Sequence, residues 1–244
     1  MEKRLARALA TSPAVLLQGA RYVGKTTLAQ RFAASDLDLS NEMDADSLEL
    51  DPLGWLRQSA KPVLVDEWQM RPQTLWTIKN LVDKEKASGF IIAGSAGYSA
   101  ASGFKQFPLT GRCDILRLRP MSHAERLGVT PRPLADTLFN CSGEWGNPES
   151  MEHRAYMDIA LRSGYPSHAG LDEHEAGLAL RRITRDIIET DIVRYQTRRD
   201  SAGTRSGLAR FIAAYAGYSG RIVDLLSTRR PQASTTRLHP SIAT

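Results

Sequence analysis

Eight residues near the start of the chain, Gly19-Ala20-Arg21-Tyr22-Val23-Gly24-Lys25-Thr26, restrict its possible folds more than any other feature. They follow the apolar run Ala14-Val15-Leu16-Leu17 and lead into the helix-like stretch Thr27-Leu28-Ala29-Gln30-Arg31-Phe32. Two glycines let the backbone turn tightly so that its N–H groups face an anion, and the helix that follows directs its positive end at the same point. In such a phosphate-binding loop the lysine reaches the β- and γ-phosphates of a nucleoside triphosphate and the threonine hydroxyl ligates Mg²⁺. Gly19, Ala20, Arg21, Tyr22, Val23, Gly24, Lys25, Thr26 and Thr27 are therefore the candidate nucleotide-binding residues.

The rest of the chain supplies a matching framework. Asp36 to Ser40 reads as a short strand with a turn, and Asp51-Pro52-Leu53 opens a helix carrying Trp55 and Leu56. Pro62 introduces Val63-Leu64-Val65-Asp66-Glu67, an aliphatic strand ending in two acids, as when a strand buried on both faces emerges at a site. From Gln73 to Lys86, Leu75, Ile78, Leu81 and Val82 recur at helical spacing. Gly89 to Ser95 and Asp114 to Leu118 read as further strands, and Ser122-x-x-Glu125 has the form of a helix capping box. Strands alternating with helices imply an α/β fold: a parallel sheet with helices on both faces and its ligand beyond the carboxyl ends of the strands. Ser95 to Gln106 is small and polar, as in a mobile loop that could gate the site.

Hydrolysis at such a loop needs a phosphate cradle, a metal and a group that orients water. Thr26 and Asp66 are the candidate metal ligands, and Glu67 is the candidate for polarising water. Ser95, at the end of the next strand, is a candidate sensor of the γ-phosphate or of that water. Arg112 could stabilise developing charge in its own subunit or, in a homo-oligomer, in a neighbour's. Each has a plainer alternative: an acidic pair can cap a helix, a serine can end a strand, and an arginine can form a surface salt bridge. His123 reads as a helix N-terminal residue, and Trp55, Trp68 and Trp76 as core or helix-packing residues.

With 244 residues, 42% hydrophobic and 24% charged, the chain has room for a nucleotide-binding domain and a smaller appendage. No stretch approaches the ~20 apolar residues of a membrane span. Cys113 and Cys141 suggest neither a disulfide framework nor a zinc site, which fits a reducing cytoplasm. From Arg181 onward twelve arginines face five acids, an excess of +7, leaving −2 of the total +5 to residues 1–180. The basic last quarter is a candidate surface for nucleic acid, or a set of solvated helix faces. Met151 to Gly164 and Leu178 to Arg199 read as helices. The expected organisation is an ATP-binding domain over 1–128, a linker over 129–150, a helical segment over 151–226 and a disordered tail over 227–244.

The blocks Leu17 to Thr27, Val65-Asp66-Glu67-Trp68-Gln69, Ile78-Lys79-x-x-Val82-Asp83, Ala93-Gly94-Ser95, Leu109-Thr110-Gly111-Arg112 and Pro120-Met121-Ser122 resemble a prokaryotic family of AAA-type ATPases whose C-terminal domain is known as DUF4143. Ser163-Gly164-Tyr165-Pro166 and Arg185-Asp186-Ile187 resemble the start of that second domain. The resemblance implies an AAA-like P-loop fold, ATP and Mg²⁺ as cofactors held through Gly24, Lys25 and Thr26, and an acid pair at Asp66 and Glu67. Two departures stand out: a serine at 95 where the wider AAA group commonly has asparagine, and a polar ending after Ile222-Val223-Asp224-Leu225-Leu226 where the family continues. The second makes a truncated or frameshifted member with an incomplete C-terminal domain the expectation. The functions that follow are an ATPase coupled to a protein partner, a nucleotide-dependent binding module without turnover, or a nucleic-acid-binding adaptor. A small-molecule kinase fits less well, since no acceptor-binding motif accompanies the acid pair.

Overall fold

A computed structural model describes residues 1–95, 107–129, 152–187 and 202–217. Five short strands, β1 (Ala14–Gln18), β2 (Ser35–Asp38), β3 (Val63–Asp66), β4 (Phe90–Gly94) and β5 (Cys113–Arg117), make one sheet in the order β2-β3-β4-β1-β5. Every pairing is parallel, with Ala14 opposite both Phe90 and Cys113, and Val63 opposite both Ser35 and Phe90. The loop after β1 therefore starts in the interior of the sheet. β3, with its acids, lies two strands away, roughly 10 Å across the sheet.

Strand periodicity divides the aliphatic residues between two cores. On one face Leu16, Val63, Val65, Phe90 and Ile92 pack with Leu48 of α3 (Glu42–Leu50), Leu56 of α4 (Pro52–Gln58), and Leu75, Ile78, Leu81 and Val82 of α5 (Thr74–Glu85). On the other, Val15, Leu17, Leu64, Ile91 and Ala93 meet Leu5 and Ala8 of α1 (Glu2–Thr11) and Ala29 of α2 (Lys25–Gln30). Removing a side chain such as Leu64 or Ile91 from water contributes roughly 2 kcal/mol. The central strands are apolar up to their carboxyl ends because neither face meets solvent.

The α5 periodicity and the capping box are realised: the Ser122 hydroxyl accepts from the Glu125 N–H at the start of α6 (His123–Arg126), while the Glu125 carboxylate accepts from the Ser122 N–H. His123 is the first residue of that helix, and Trp68 is fully buried, whereas Trp76 remains 41% exposed. α3 lies where the sequence reading placed no helix. α3 buries only Ala45 and Leu48 and so carries little apolar pattern; the Asn41 side chain caps it by accepting from the Met43 N–H at 3.0 Å.

The chain divides into two compact units, Met1–Leu180 and Arg181–Thr244. The first contains the sheet, α7 (His153–Leu161) and a 3₁₀ turn at Pro166–His168; α8 (Glu173–Asp186) crosses the division, and α9 (Ala202–Ala216) belongs to the second. The gating loop expected after Ser95, most of the 129–150 linker, Cys141, the part of the expected Leu178–Arg199 helix beyond residue 187, and the 227–244 tail lie outside the described residues. Among the described residues no helix is long and apolar enough to cross a membrane.

Candidate functional site

The loop leaving β1 is shaped by two requirements. A Cβ on Gly19 would collide with the Leu118 carbonyl, because the chain leaving β5 runs against it and Leu118 donates its N–H to the Gln18 carbonyl at 2.8 Å. Gly24 has φ +91°, a left-handed conformation that favours glycine, and forms the N-cap of α2. Tyr22 is also left-handed, at φ 63°, which costs a residue with a Cβ roughly 1–2 kcal/mol. Such turns bring backbone N–H groups into a concave array suited to anions. Lys25 is buried, and its Nζ donates to the Ala20 carbonyl across the loop at 2.8 Å.

The loop bridges the sheet to reach β3. The Thr26 hydroxyl donates to Asp66 Oδ2 at 2.5 Å, joining two residues 40 positions apart across the carboxyl end of the intervening β4. Asp66 is only 6% exposed, and its other oxygen, Oδ1, accepts from the Glu67 N–H at 2.9 Å. Glu67 itself is left-handed at φ 50° and begins the turn Trp68–Met70, leaving the strand direction immediately after Asp66. Successive residues that would point to opposite faces of a strand thus both serve the same end of the sheet. Arg21, Tyr22, Gly24, Lys25, Thr26, Thr27 and Glu67 line a common cleft of about 370 Å³ together with Pro166 and Ser167.

Burial pushes the Glu67 carboxyl above the usual glutamate range and the Asp66 charge adds to that, while Arg21, Lys25 and a hydrogen bond from Gln69 pull the other way. The Gln69 amide donates from Nε2 to Glu67 Oε2 and approaches Ser95 Oγ at 3.5 Å. The carboxylate determines which end of that amide faces it, since only the NH₂ can donate. Gly94 leaves room for this arrangement: a Cβ there would run into Gln69 Oε1 and the Trp68 indole. Gln69 thus connects Glu67 to Ser95.

Thr26, Asp66, Glu67, Ser95 and the loop are brought together. Arg112 is not. It precedes β5, its carbonyl accepts from the Ala14 N–H at the start of β1, and its guanidinium pairs with Asp83 and donates to the Thr110 carbonyl at 2.9 Å. Five strand residues, roughly 17 Å, separate that amino edge from the loop. The arginine expected to reach a phosphate in its own subunit is therefore at the wrong end of the sheet, tied to α5. Gln69, Pro166 and Ser167 complete the neighbourhood but were not among the residues expected from sequence. Gln69 lies within the block around the acid pair, which was a usable signal; the other two stand about 140 residues from the loop, and the Ser163-Gly164-Tyr165-Pro166 block, matched only to the start of a second domain, does not tie them to the cleft.

The oxygen donors suit a hard cation. Among the described residues no group of three or more His, Cys, Asp or Glu side chains could cage a metal. Magnesium is commonly held by one or two protein oxygens together with phosphates and water, and the adjoining Thr26 hydroxyl and buried Asp66 carboxylate offer that set.

A parallel sheet whose glycine loop leaves one strand and is bonded to the terminal acid of another defines a P-loop nucleotide-binding fold. Residues 11–127 match the model of the AAA domain family, which supports a nucleotide-binding domain of ATPase type. The uncharacterized proteins Mb2031c of Mycobacterium bovis and Rv2008c of Mycobacterium tuberculosis are each 35% identical over 172 residues, covering 66% of this chain and 36% of theirs. The chain thus spans about a third of the length of these curated relatives. Among solved structures it is similar to the Walker-type ATPase PABY2304 of Pyrococcus abyssi (TM-score 0.43, 14% identity, 89% of this chain and 79% of that one). It is also similar to AMPPCP-bound DnaA from Aquifex aeolicus (TM-score 0.43, 14% identity, 93% and 80%).

Proposed function

We propose that the chain binds ATP with magnesium and hydrolyses it to ADP and phosphate, coupling turnover to a protein partner through the helical region beyond residue 151. The observation that carries this reading is the Thr26–Asp66 hydrogen bond, with Glu67 turned into the same cleft as Lys25. Loop N–H groups and Lys25 hold the triphosphate. Thr26 and Asp66 would hold magnesium, directly or through its water, and the ion would neutralise charge on the β- and γ-phosphates. Glu67 accepts the proton of a water as its oxygen bonds to the γ-phosphorus and the bond to the ADP oxygen breaks. A carboxyl raised toward the working pH suits proton transfer better than an ordinary surface glutamate. Gln69 holds that carboxylate in place and relates its position to Ser95 at the next strand end.

The test is phosphate release by the purified chain with ATP and magnesium. Release should vanish in Lys25→Ala through lost binding and in Glu67→Gln through lost chemistry. Tight ATP binding with no release above background in the unaltered chain would instead support a nucleotide-dependent binding module.

A further inference from the structure

The turn around Pro166–His168 is held against the nucleotide loop by contacts that do not involve the loop's own motif. Gly164 accepts a hydrogen bond on its carbonyl from the Met121 N–H at 2.7 Å. A Cβ on Gly164 would lie 2.7 Å from the Met121 carbonyl oxygen and 2.9 Å from Pro120 Cβ, so only glycine permits this approach to the chain leaving β5. Within the turn the Ser163 hydroxyl and His168 Nδ1 are both buried and lie 2.9 Å apart, the Ser163 oxygen accepts from the Tyr165 N–H at 3.1 Å, and the Tyr165 and His168 rings meet edge to face at 5.6 Å. Buried polar groups that satisfy each other in this way hold a segment in one conformation. This scaffold presents two exposed residues, Pro166 and Ser167, toward the loop: Pro166 Cγ is 3.7 Å from where a Gly24 Cβ would be, and both residues line the cleft with Lys25, Thr26 and Glu67.

We propose that Pro166 and Ser167 form the second wall of the nucleotide site, with Ser167 contacting the bound phosphates. This rests on the ATP reading of the cleft. The loop motif supplies one side of a phosphate site, and Pro166 and Ser167 line the same cleft of about 370 Å³, so a ligand seated on the loop meets them as well. Of the two wall residues only Ser167 carries a side-chain donor, so it can exchange its hydration for a phosphate oxygen while proline excludes water beside it. The wall is also covalently continuous with α8, so a ligand that presses on it reaches the helical region by the chain itself.

Because Ser167 is exposed, its charge can be changed without disturbing the core. Binding of Mg-ATP to the full chain is measured by calorimetry for the unaltered protein, Ser167→Asp, Ser167→Lys and Gly170→Asp, with Lys25→Ala as the blank. Gly170→Asp adds the same charge three residues on, where a Cβ meets nothing within 4 Å and the residue does not line the cleft. A carboxylate facing a triphosphate should weaken binding on the order of tenfold and an ammonium should tighten it several-fold, both effects shrinking with added salt. Gly170→Asp should remain within about twofold of the unaltered chain, since a charge outside the cleft is screened by water. Affinities that do not respond to the sign of the charge at 167, or an equal loss in both aspartate variants, overturn the second wall while leaving the ATP site intact. If the unaltered chain binds no better than Lys25→Ala, the ATP reading itself is overturned, and the wall with it.

Discussion

The two edges of the sheet each gather charged residues, and they treat those charges in opposite ways. At the amino edge Asp83 accepts from both Lys79, at 2.8 Å, and Arg112, and these partners hold its carboxyl down at about 2. All three side chains are about a third exposed, and their conformations need no unusual backbone. At the carboxyl edge Lys25 and Asp66 are buried, Glu67 and Tyr22 adopt left-handed conformations, and the Glu67 carboxyl is raised rather than lowered. An ion pair completed within the protein adds a little stability and leaves nothing over for a ligand. Charges held close together, in strained backbone, with an opening between them, are arranged for something that arrives later. Sequence order alone makes Arg112 and Glu67 look like members of one constellation; their electrostatic surroundings separate them.

The largest effects should follow from disturbing the carboxyl edge. Glu67→Gln removes the proposed proton acceptor while retaining size and the capacity to meet Gln69, so phosphate release should fall on the order of 10²-fold or more with ATP affinity nearly unchanged. Next in size is Gln69→Leu, which preserves volume but removes the donor to Glu67. Losing one hydrogen bond to a charged group corresponds to about a tenfold loss in kcat, with KM for ATP within about twofold; an equal rise in KM would mean that Gln69 acts on binding instead.

The amino edge should respond least. Asp83→Asn breaks a satisfied surface cluster and should change phosphate release by less than about twofold, with only a small drop in melting temperature. The pH dependence follows from the lowered carboxyl. The cluster's contribution to stability is complete above the ordinary aspartate value of roughly 3.9 and is lost as pH falls through it toward about 2. Asp83→Asn should therefore lose its difference from the unaltered chain in acid unfolding curves below about pH 2, and a difference that grows on acidification would contradict the assignment.

What could be read from the sequence follows the range of the interactions involved. The loop, the acid pair and the capping box are local patterns whose chemistry sits within a few residues, and the central strands announce themselves because they are buried on both faces. α3 escaped because two buried residues in nine give no period to detect. The expectation that Arg112 reaches a phosphate of its own subunit failed for a topological reason, and its salt-bridge alternative is the one seen: in a parallel sheet residues that follow strands share one edge and residues that precede them share the other, and Arg112 precedes β5. Pro166 and Ser167 reach the cleft only through tertiary packing of Gly164 on Pro120 and Met121, and no local property of Tyr165-Pro166-Ser167 records that.

The central claim is that chemistry belongs to the carboxyl edge and that Arg112 belongs to the scaffold. Its most direct test is one assay of phosphate release and ATP binding on Glu67→Gln and Arg112→Ala side by side. The account predicts that Glu67→Gln binds ATP but releases no phosphate, while Arg112→Ala keeps both within about twofold. Release by Glu67→Gln at the unaltered rate, or its collapse in Arg112→Ala with the fold intact, would contradict it.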